Sequence, residues 1–259
     1  MKYIFKIAAL LTVISLFSCQ KKTTPPIDNN TEKKVFTTSF ESVDDFAGFY
    51  LTPQAHQNTT YHELSDSIVH NGTYAHKAWI VGANPPSAPG VNNNHRGYPT
   101  VQFQHTDEGV LKTPCYVSFW VWLDMDLQER STGENDWFSF ATFTDDESDH
   151  WRRTVLVNLN TDGFVHLQHT ANQGQQSIIF QTTELVFPQK EWVELKIYLD
   201  FRPNGYAKVW QNGQLVTHAN IDNIDNKLSQ AHFGLYCPPQ MTAGVVYNDD
   251  LNIREVDEE

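Results

Sequence analysis

The sequence predicts an all-β protein, a two-sheet antiparallel sandwich in one domain behind an N-terminal leader. Two observations predict the strands. Short apolar–polar alternations of period two recur along the chain, without a long run of helical period. Asp162-Gly163, Asn204-Gly205 and Asn212-Gly213 are turn pairs whose residues tolerate the positive φ that tight hairpins require. A third observation bounds the domain: the first 34 residues differ in composition from everything after them.

Those residues read as targeting and tether. Lys2 and Lys6 give a basic start, and Ile7 to Phe17 is an apolar stretch short for a membrane span. Leu16-Phe17-Ser18-Cys19 resembles a lipobox, so residues 1–18 are expected to be a bacterial lipoprotein signal and Cys19 the acylated first residue. Residues 19–34 include QKKTTPPIDNNTEKK, which has almost no large apolar side chain and reads as a flexible tether. Residues 35–259 are then the folded domain, long enough for a substantial core. The expected home is the bacterial cell envelope, at the outer membrane, held through the lipid on Cys19.

Expected strands run Val35–Phe40, Ala75–Val81, Thr100–His105, Tyr116–Leu123, Phe138–Phe143, Thr154–Leu159 and Phe164–His169. They continue with Ser177–Gln181, Val193–Phe201, Ala207–Gln211, Gln214–His218, His232–Tyr236 and Val245–Ile253. Two long connections stand out, Gly82 to Gly97, rich in Pro and Asn, and Met125 to Asp136, rich in charge. Cys115 and Cys237 each sit at a strand end beside a proline; an exported protein permits a disulfide between them, and buried free thiols are the alternative.

Tyr116 to Asp124 carries the most information. Val117, Phe119, Val121 and Leu123 form one apolar face. Tyr116, Ser118, Trp120, Trp122 and Asp124 form the other, where an ordinary solvent face would carry Lys, Glu and Thr. Other strands repeat the pattern: Tyr98, Thr100, Gln102 and Gln104 oppose Val101 and Phe103, and Phe164, His166 and Gln168 oppose Val165 and Leu167. Trp192, Glu194, Lys196, Tyr198 and Asp200 oppose Val193 to Leu199 at alternate positions, and Tyr206, Lys208 and Trp210 oppose Ala207 and Val209. If such strands neighbour one another, they make a polar-aromatic platform suited to sugars: rings stack on the C–H faces of pyranoses while amides, His and Lys bond the hydroxyls. The expected contacts are Trp120, Trp122, Tyr116, Gln102, His166, Gln168, Lys196 and His95.

A net charge of −13 with no basic stripe argues against nucleic acid and leaves a polysaccharide or oligosaccharide as the expected partner.

The residues also resemble the concanavalin A-like jelly roll of carbohydrate-binding domains and polysaccharide lyases. The likeness is carried by Phe40-Glu41-Ser42 with Phe46 and Gly48, by His70 to Ala75 (HNGTYA), by Trp192 to Val216, and by Phe233 to Tyr236 with Tyr247 to Leu251. It implies a jelly roll with glycan on its concave sheet. It also implies a structural Ca²⁺ joining the first and last strands, with Glu41, Asp249 and Asp250 at the matching positions.

Lyases of this fold clamp a uronate carboxylate and remove a proton with Tyr or His. Their Arg-x-Glu and Gln-x-His strand motifs are missing here, so the resemblance assigns no catalytic residue. His166, Tyr98 and Arg96 are the candidates assembled from residue type, with Arg153 facing the core by alternation. Glu134-Asn135-Asp136 matches the hydrolase Glu-x-Asp-x-x-Glu motif only in part and fails at Ser139, so lyase chemistry is favoured over hydrolysis. The first expectation is a lipid-anchored envelope or cell-surface protein that binds polysaccharide on the aromatic and polar concave sheet; a polysaccharide lyase acting by β-elimination on a uronate-containing glycan is the alternative, and a structural lipoprotein whose aromatic face meets a protein is the third reading.

Overall fold

Two eight-stranded antiparallel sheets face each other across an aliphatic and phenylalanine core. The computed structural model describes residues 32–42, 49–51, 59–148, 150–171, 178–221 and 225–259. The folded unit runs Lys33–Glu259. The signal, Cys19, Phe46, Gly48 and Ser177 lie outside the described residues.

The described residues form eighteen strands in chain order. They begin with β1 (Val35–Thr38), β2 (Phe49–Leu51), β3 (Thr60–Ser65), β4 (Ala75–Ile80), β5 (His95–Gly97) and β6 (Pro99–Gln102). Next come β7 (Leu111–Lys112), β8 (Cys115–Asp124), β9 (Phe138–Thr144), β10 (Thr154–Leu159), β11 (Val165–Thr170) and β12 (Ile178–Phe180). The last six are β13 (Trp192–Asp200), β14 (Gly205–Gln211), β15 (Gln214–Ile221), β16 (Lys227–Leu228), β17 (Gln230–Cys237) and β18 (Gly244–Glu255). The first sheet has the order β15-β14-β13-β8-β18-β4-β3, with β1 also on β18. The second has the order β12-β11-β10-β9-β17-β6-β2, with β5 also on β17. This is the two-sheet jelly-roll sandwich expected from the sequence.

The period-two reading of the core holds strand by strand. Val117, Phe119, Val121 and Leu123 are buried, as are Val101, Phe103, Val165, Leu167, Val193, Leu195, Ile197 and Leu199. Burying one such side chain contributes roughly 1.5–3 kcal/mol, so these residues fix which face of each strand points inward. Phe119 and Phe143 both meet Phe233 edge-on, which ties the sheets together at their centre. The turns are also as read. Asn204, Asn212, Gly163 and Gly213 all have positive φ, and Gly205 is required because a Cβ would lie 2.0 Å from the Asp200 carbonyl oxygen.

Some expectations change. The Thr100–His105 strand ends at Gln102 and continues as a short 3-10 turn. The Gly82–Gly97 loop ends earlier, because His95–Gly97 pairs with Leu235–Cys237. Strand β3 (TYHELS) was not anticipated, since its polar mixture lacks a clear alternation. Cys115 and Cys237 are free and fully buried, not bridged. No helix among the described residues is long and apolar enough to cross a membrane.

Candidate functional site

Alternation separates inward from outward residues, but a sandwich has two outward faces. The residues expected to form one platform divide between them. Trp120, Trp122, Tyr116, Lys196 and Trp210 lie on the outer face of the first sheet, where the register pairs Trp192 with Trp122, Lys196 with Ser118 and Trp210, and Tyr116 with Tyr198. Gln102, His166 and Gln168 lie on the outer face of the second sheet, on β6 and β11. The single platform is therefore corrected to two surfaces on opposite sides of the core.

On the second sheet, register places His166, Asn158, Ser139, Tyr236 and Arg96 in one row across β11, β10, β9, β17 and β5. Four strand steps at about 4.8 Å carry this row roughly 19 Å. A parallel row holds Gln168, Leu156, Thr142, His232 and Thr100. Register shifts interrupt β10 against β9 at Val157/Asn158 and β17 against β9 at Phe233/Tyr236, so bulges flank the rows where they re-aim side chains.

The Arg96 end is densely aromatic. The Tyr98 ring lies 4.0 Å from that of His232 and 5.9 Å from that of Tyr236. The Trp151 ring lies 4.9 Å from that of His232, and Trp137 meets Tyr236 edge-on at 5.0 Å. The Arg96 guanidinium sits 5.8 Å from the Tyr236 ring centroid. Asn94 Nδ2 donates to Tyr236 Oη at 3.0 Å, which leaves the phenolic hydrogen free to be donated elsewhere. Gly234 makes this packing possible. Its φ is +119°, and a Cβ there would come within 2.8 Å of the Gly97 carbonyl oxygen and 3.3 Å of Tyr98 Cβ.

The floor is recessed: Tyr98 is 8% exposed, His232 7% and His166 5%. Burial, and then the nearby Arg96 charge, push the His232 pKa down to about 3, so its imidazole is neutral. Burial likewise lowers His166 against the opposing Phe164 carbonyl bond. Burial raises Tyr98 despite the pull of Arg96. Three buried polar atoms on adjacent strands of this face have no hydrogen-bond partner among the described residues: His232 Nε2, Thr142 Oγ1 and Asn158 Oδ1. Unpaired buried polar atoms are costly, about 1–3 kcal/mol each, and these three lie on neighbouring strands β10, β9 and β17 of one face. Asn158 Nδ2 meanwhile donates to Gln168 Oε1 at 3.0 Å, which aims its free oxygen.

Other expected residues do different work. His95 is fully buried between the sheets, bonded to Thr60 Oγ1 at 2.6 Å and to the Met241 carbonyl at 3.0 Å, so it is structural and not a surface contact. Gln102 Nε2 donates to Gln230 Oε1 at the far edge of the floor. Arg153 turns to the rim, ion-paired with Asp145 and Asp225, and does not face the core. Asp136 is buried and ion-paired with Arg130.

The carboxylates matched to calcium all meet nitrogen atoms of residues 70–73. Glu41 accepts from the Thr73 amide, and Asp249 accepts from the His70, Asn71 and Asp250 amides. Asp250 meets His70 Nδ1 at 2.9 Å. These oxygens face N–H donors, and no group of three metal-type side chains is gathered among the described residues. Burial pushes the Asp249 pKa up to about 6.

His232, Tyr236, Asn158 and Thr142 were missed as site residues. A signal existed for the first two: Gln230, His232 and Tyr236 alternate with Ala231, Phe233 and Leu235, the same pattern that flagged Tyr116 to Asp124.

No family model matches the sequence, and no curated protein matches it either. Solved structures do share the fold. The cellulose-induced protein Cip1 aligns over 84% of this chain and 96% of its own at 14% identity, with a TM-score of 0.58. The endo-β-1,4-glucuronan lyase of the fungus Trichoderma reesei aligns over 77% and 91% at 14% identity, with a TM-score of 0.55. Alginate lyase Aly36B aligns over 87% and 98% at 11% identity, with a TM-score of 0.52. At these identities the likeness establishes the concanavalin A-like, polysaccharide lyase-like fold and nothing finer.

Proposed function

We propose that this protein is a polysaccharide lyase that cleaves a uronate-containing glycan by β-elimination on the outer face of its second sheet. The observation that carries the reading is the meeting of Arg96 with Tyr98, His232 and Tyr236, with His232 Nε2 lacking a partner among the described residues. The fold shared with a glucuronan lyase and an alginate lyase agrees with it.

The chemistry follows from the groups. Arg96 pairs with the uronate carboxylate and stabilises the negative charge that grows there when the C5 proton leaves. Neutral His232, with Nε2 unpaired, accepts that proton. Burial, the larger cause, and the Arg96 charge keep its basicity low, and a bound carboxylate offsets the second of these. The electron pair forms the C4–C5 double bond and expels the 4-oxygen. Tyr236 donates its phenolic hydrogen to that oxygen, its own lone pair being held by Asn94. His166, Asn158 and Gln168 bond hydroxyls of neighbouring sugars along the row.

The test is incubation with alginate, glucuronan, heparin and related polyuronates while following ultraviolet absorbance from the new double bond. Absorbance on one polymer supports the reading; none on a broad panel removes it. Binding without turnover is the second reading, favoured by the depth of Tyr98 and the weak basicity of His232.

The protein is further proposed to act at the bacterial outer membrane, lipidated on Cys19. The ordered signal, apolar run and Leu16–Cys19 motif support this. Incorporation of a labelled fatty acid that persists in Cys19→Ser contradicts it.

A further inference from the structure

The first sheet presents a different surface. Its outer face carries Tyr61 and Trp79 stacked at 5.6 Å, Trp122 edge-on to Tyr247 at 5.5 Å, and Tyr116 within 6.3 Å of Trp210. Lys196 lies 4.3 Å from the Tyr116 ring centroid and 5.8 Å from that of Trp210. Register aligns Asn252, Ser118, Lys196, Trp210 and Leu215 in one row, and Arg254, Tyr116, Tyr198, Lys208 and His218 in the next.

The cations of this face differ in what they meet. Lys77 is paired with Glu63, and Lys208 with Glu259. Lys196 and Arg254 are exposed and form no ion pair among the described residues. Glu194 lies one row away, beside Trp120. On a chain of net charge −13, Lys196 and Arg254 are thus two exposed cations beside Tyr116 and Trp210 that no carboxylate pairs with among the described residues. Glu259 on Lys208 is an internal example of the group such a surface accepts, a carboxylate at the edge of an aromatic patch.

We propose that the Lys196–Arg254 quadrant of the first sheet is a second binding surface for an acidic polysaccharide, separate from the Arg96 face across the core. Aromatic faces contact the sugar rings, and the two cations pair with carboxylates along the chain. The polymer is held on one face while the other is free to act on it or on a neighbouring strand.

The experiment uses the full chain carrying Cys19→Ser, so that no lipid contributes. Electrophoretic retention is measured in gels containing polyuronate or neutral glucan, beside sedimentation with phosphatidylglycerol–phosphatidylcholine vesicles. Lys196→Ala with Arg254→Ala is expected to weaken polyuronate retention about fivefold to tenfold. Trp210→Ala is a second variant, and melting temperature checks its fold. Unchanged retention in the double variant overturns the proposal, as does equal retention on neutral glucan. So does a loss confined to the vesicles, which would make the quadrant a lipid contact. These outcomes are independent of whether unsaturated product is formed, so failure of the lyase reading is separately visible.

Discussion

The two outer faces of one sandwich are built to opposite rules. On the second sheet the outward residues are recessed and mix polar groups with the rings of Tyr98 and Tyr236, and several polar atoms lack partners among the described residues. On the first, the outward residues are aromatic and half-exposed, and they are largely satisfied by one another. His70 even stacks on Trp120 at 3.9 Å, so the ring that looked most available in the sequence is partly covered. A surface that leaves buried polar atoms unpaired stores free energy that a specific ligand can release. A surface of self-paired rings offers area with little strain, which suits loose holding of a polymer.

The largest expected effect separates the faces by chemistry. Arg96→Ala should lower kcat/KM for uronate elimination about 100-fold to 1,000-fold, the scale of losing a charge-stabilising donor. A loss under tenfold would break the assignment of Arg96 as the carboxylate clamp. Gly234→Ala comes next. With φ at +119° and backbone and Tyr98 atoms in the way, it should cost roughly 1–3 kcal/mol of stability. It should also displace Tyr98 from His232, seen as lost activity in the fraction still folded at low temperature.

The pH dependence of stability sharpens the contrast between buried neutral groups and solvated charged ones. His232 has a folded pKa of about 3 against an ordinary value of 6.5, so the unfolded chain binds the extra proton between those values. Stability therefore falls as pH drops from 6.5 towards 3, by on the order of a few kcal/mol from this residue. His62, His76, His95 and His166 are lowered as well and act in the same direction. Asp249 opposes them: raised to about 6, it contributes stability at low pH that is lost as pH rises through 6. Denaturant melts across this range should show the net acid loss, and His232→Asn should flatten it. The smallest expected effect is that of a chelator. With Glu41 and Asp249 bonded to the amides of residues 70–73, chelation should leave the melting temperature unchanged; a drop of several degrees would restore the calcium staple.

How far the sequence was legible depends on which physical interaction was being read. Inward burial is a local, period-two signal, so Val117, Phe119, Val121 and Leu123 declared the core from one strand alone. Sheet membership is set by partners far away in the chain. β8 pairs with Trp192–Leu199 and Val245–Glu255, while His166 sits on β11, next to β10 and β12. Nothing local distinguishes the two outer faces, so Trp120 and His166 read as neighbours when they are on opposite sides. His95 misled for a related reason. A polar residue in a Pro- and Asn-rich loop reads as exposed, but the three-residue strand His95–Gly97 turns it inward onto Thr60 and Met241. Arg96, the next residue, was thereby placed outward, on the face where it meets Tyr236.

The measurement that tests the central claim most directly is ultraviolet absorbance of product from a panel of uronate polymers, run on the native chain and on Arg96→Ala. The account predicts unsaturated product on one polymer from the native chain and near-complete loss of it in the variant. No product on any polymer, or product formed equally by both proteins, would contradict it.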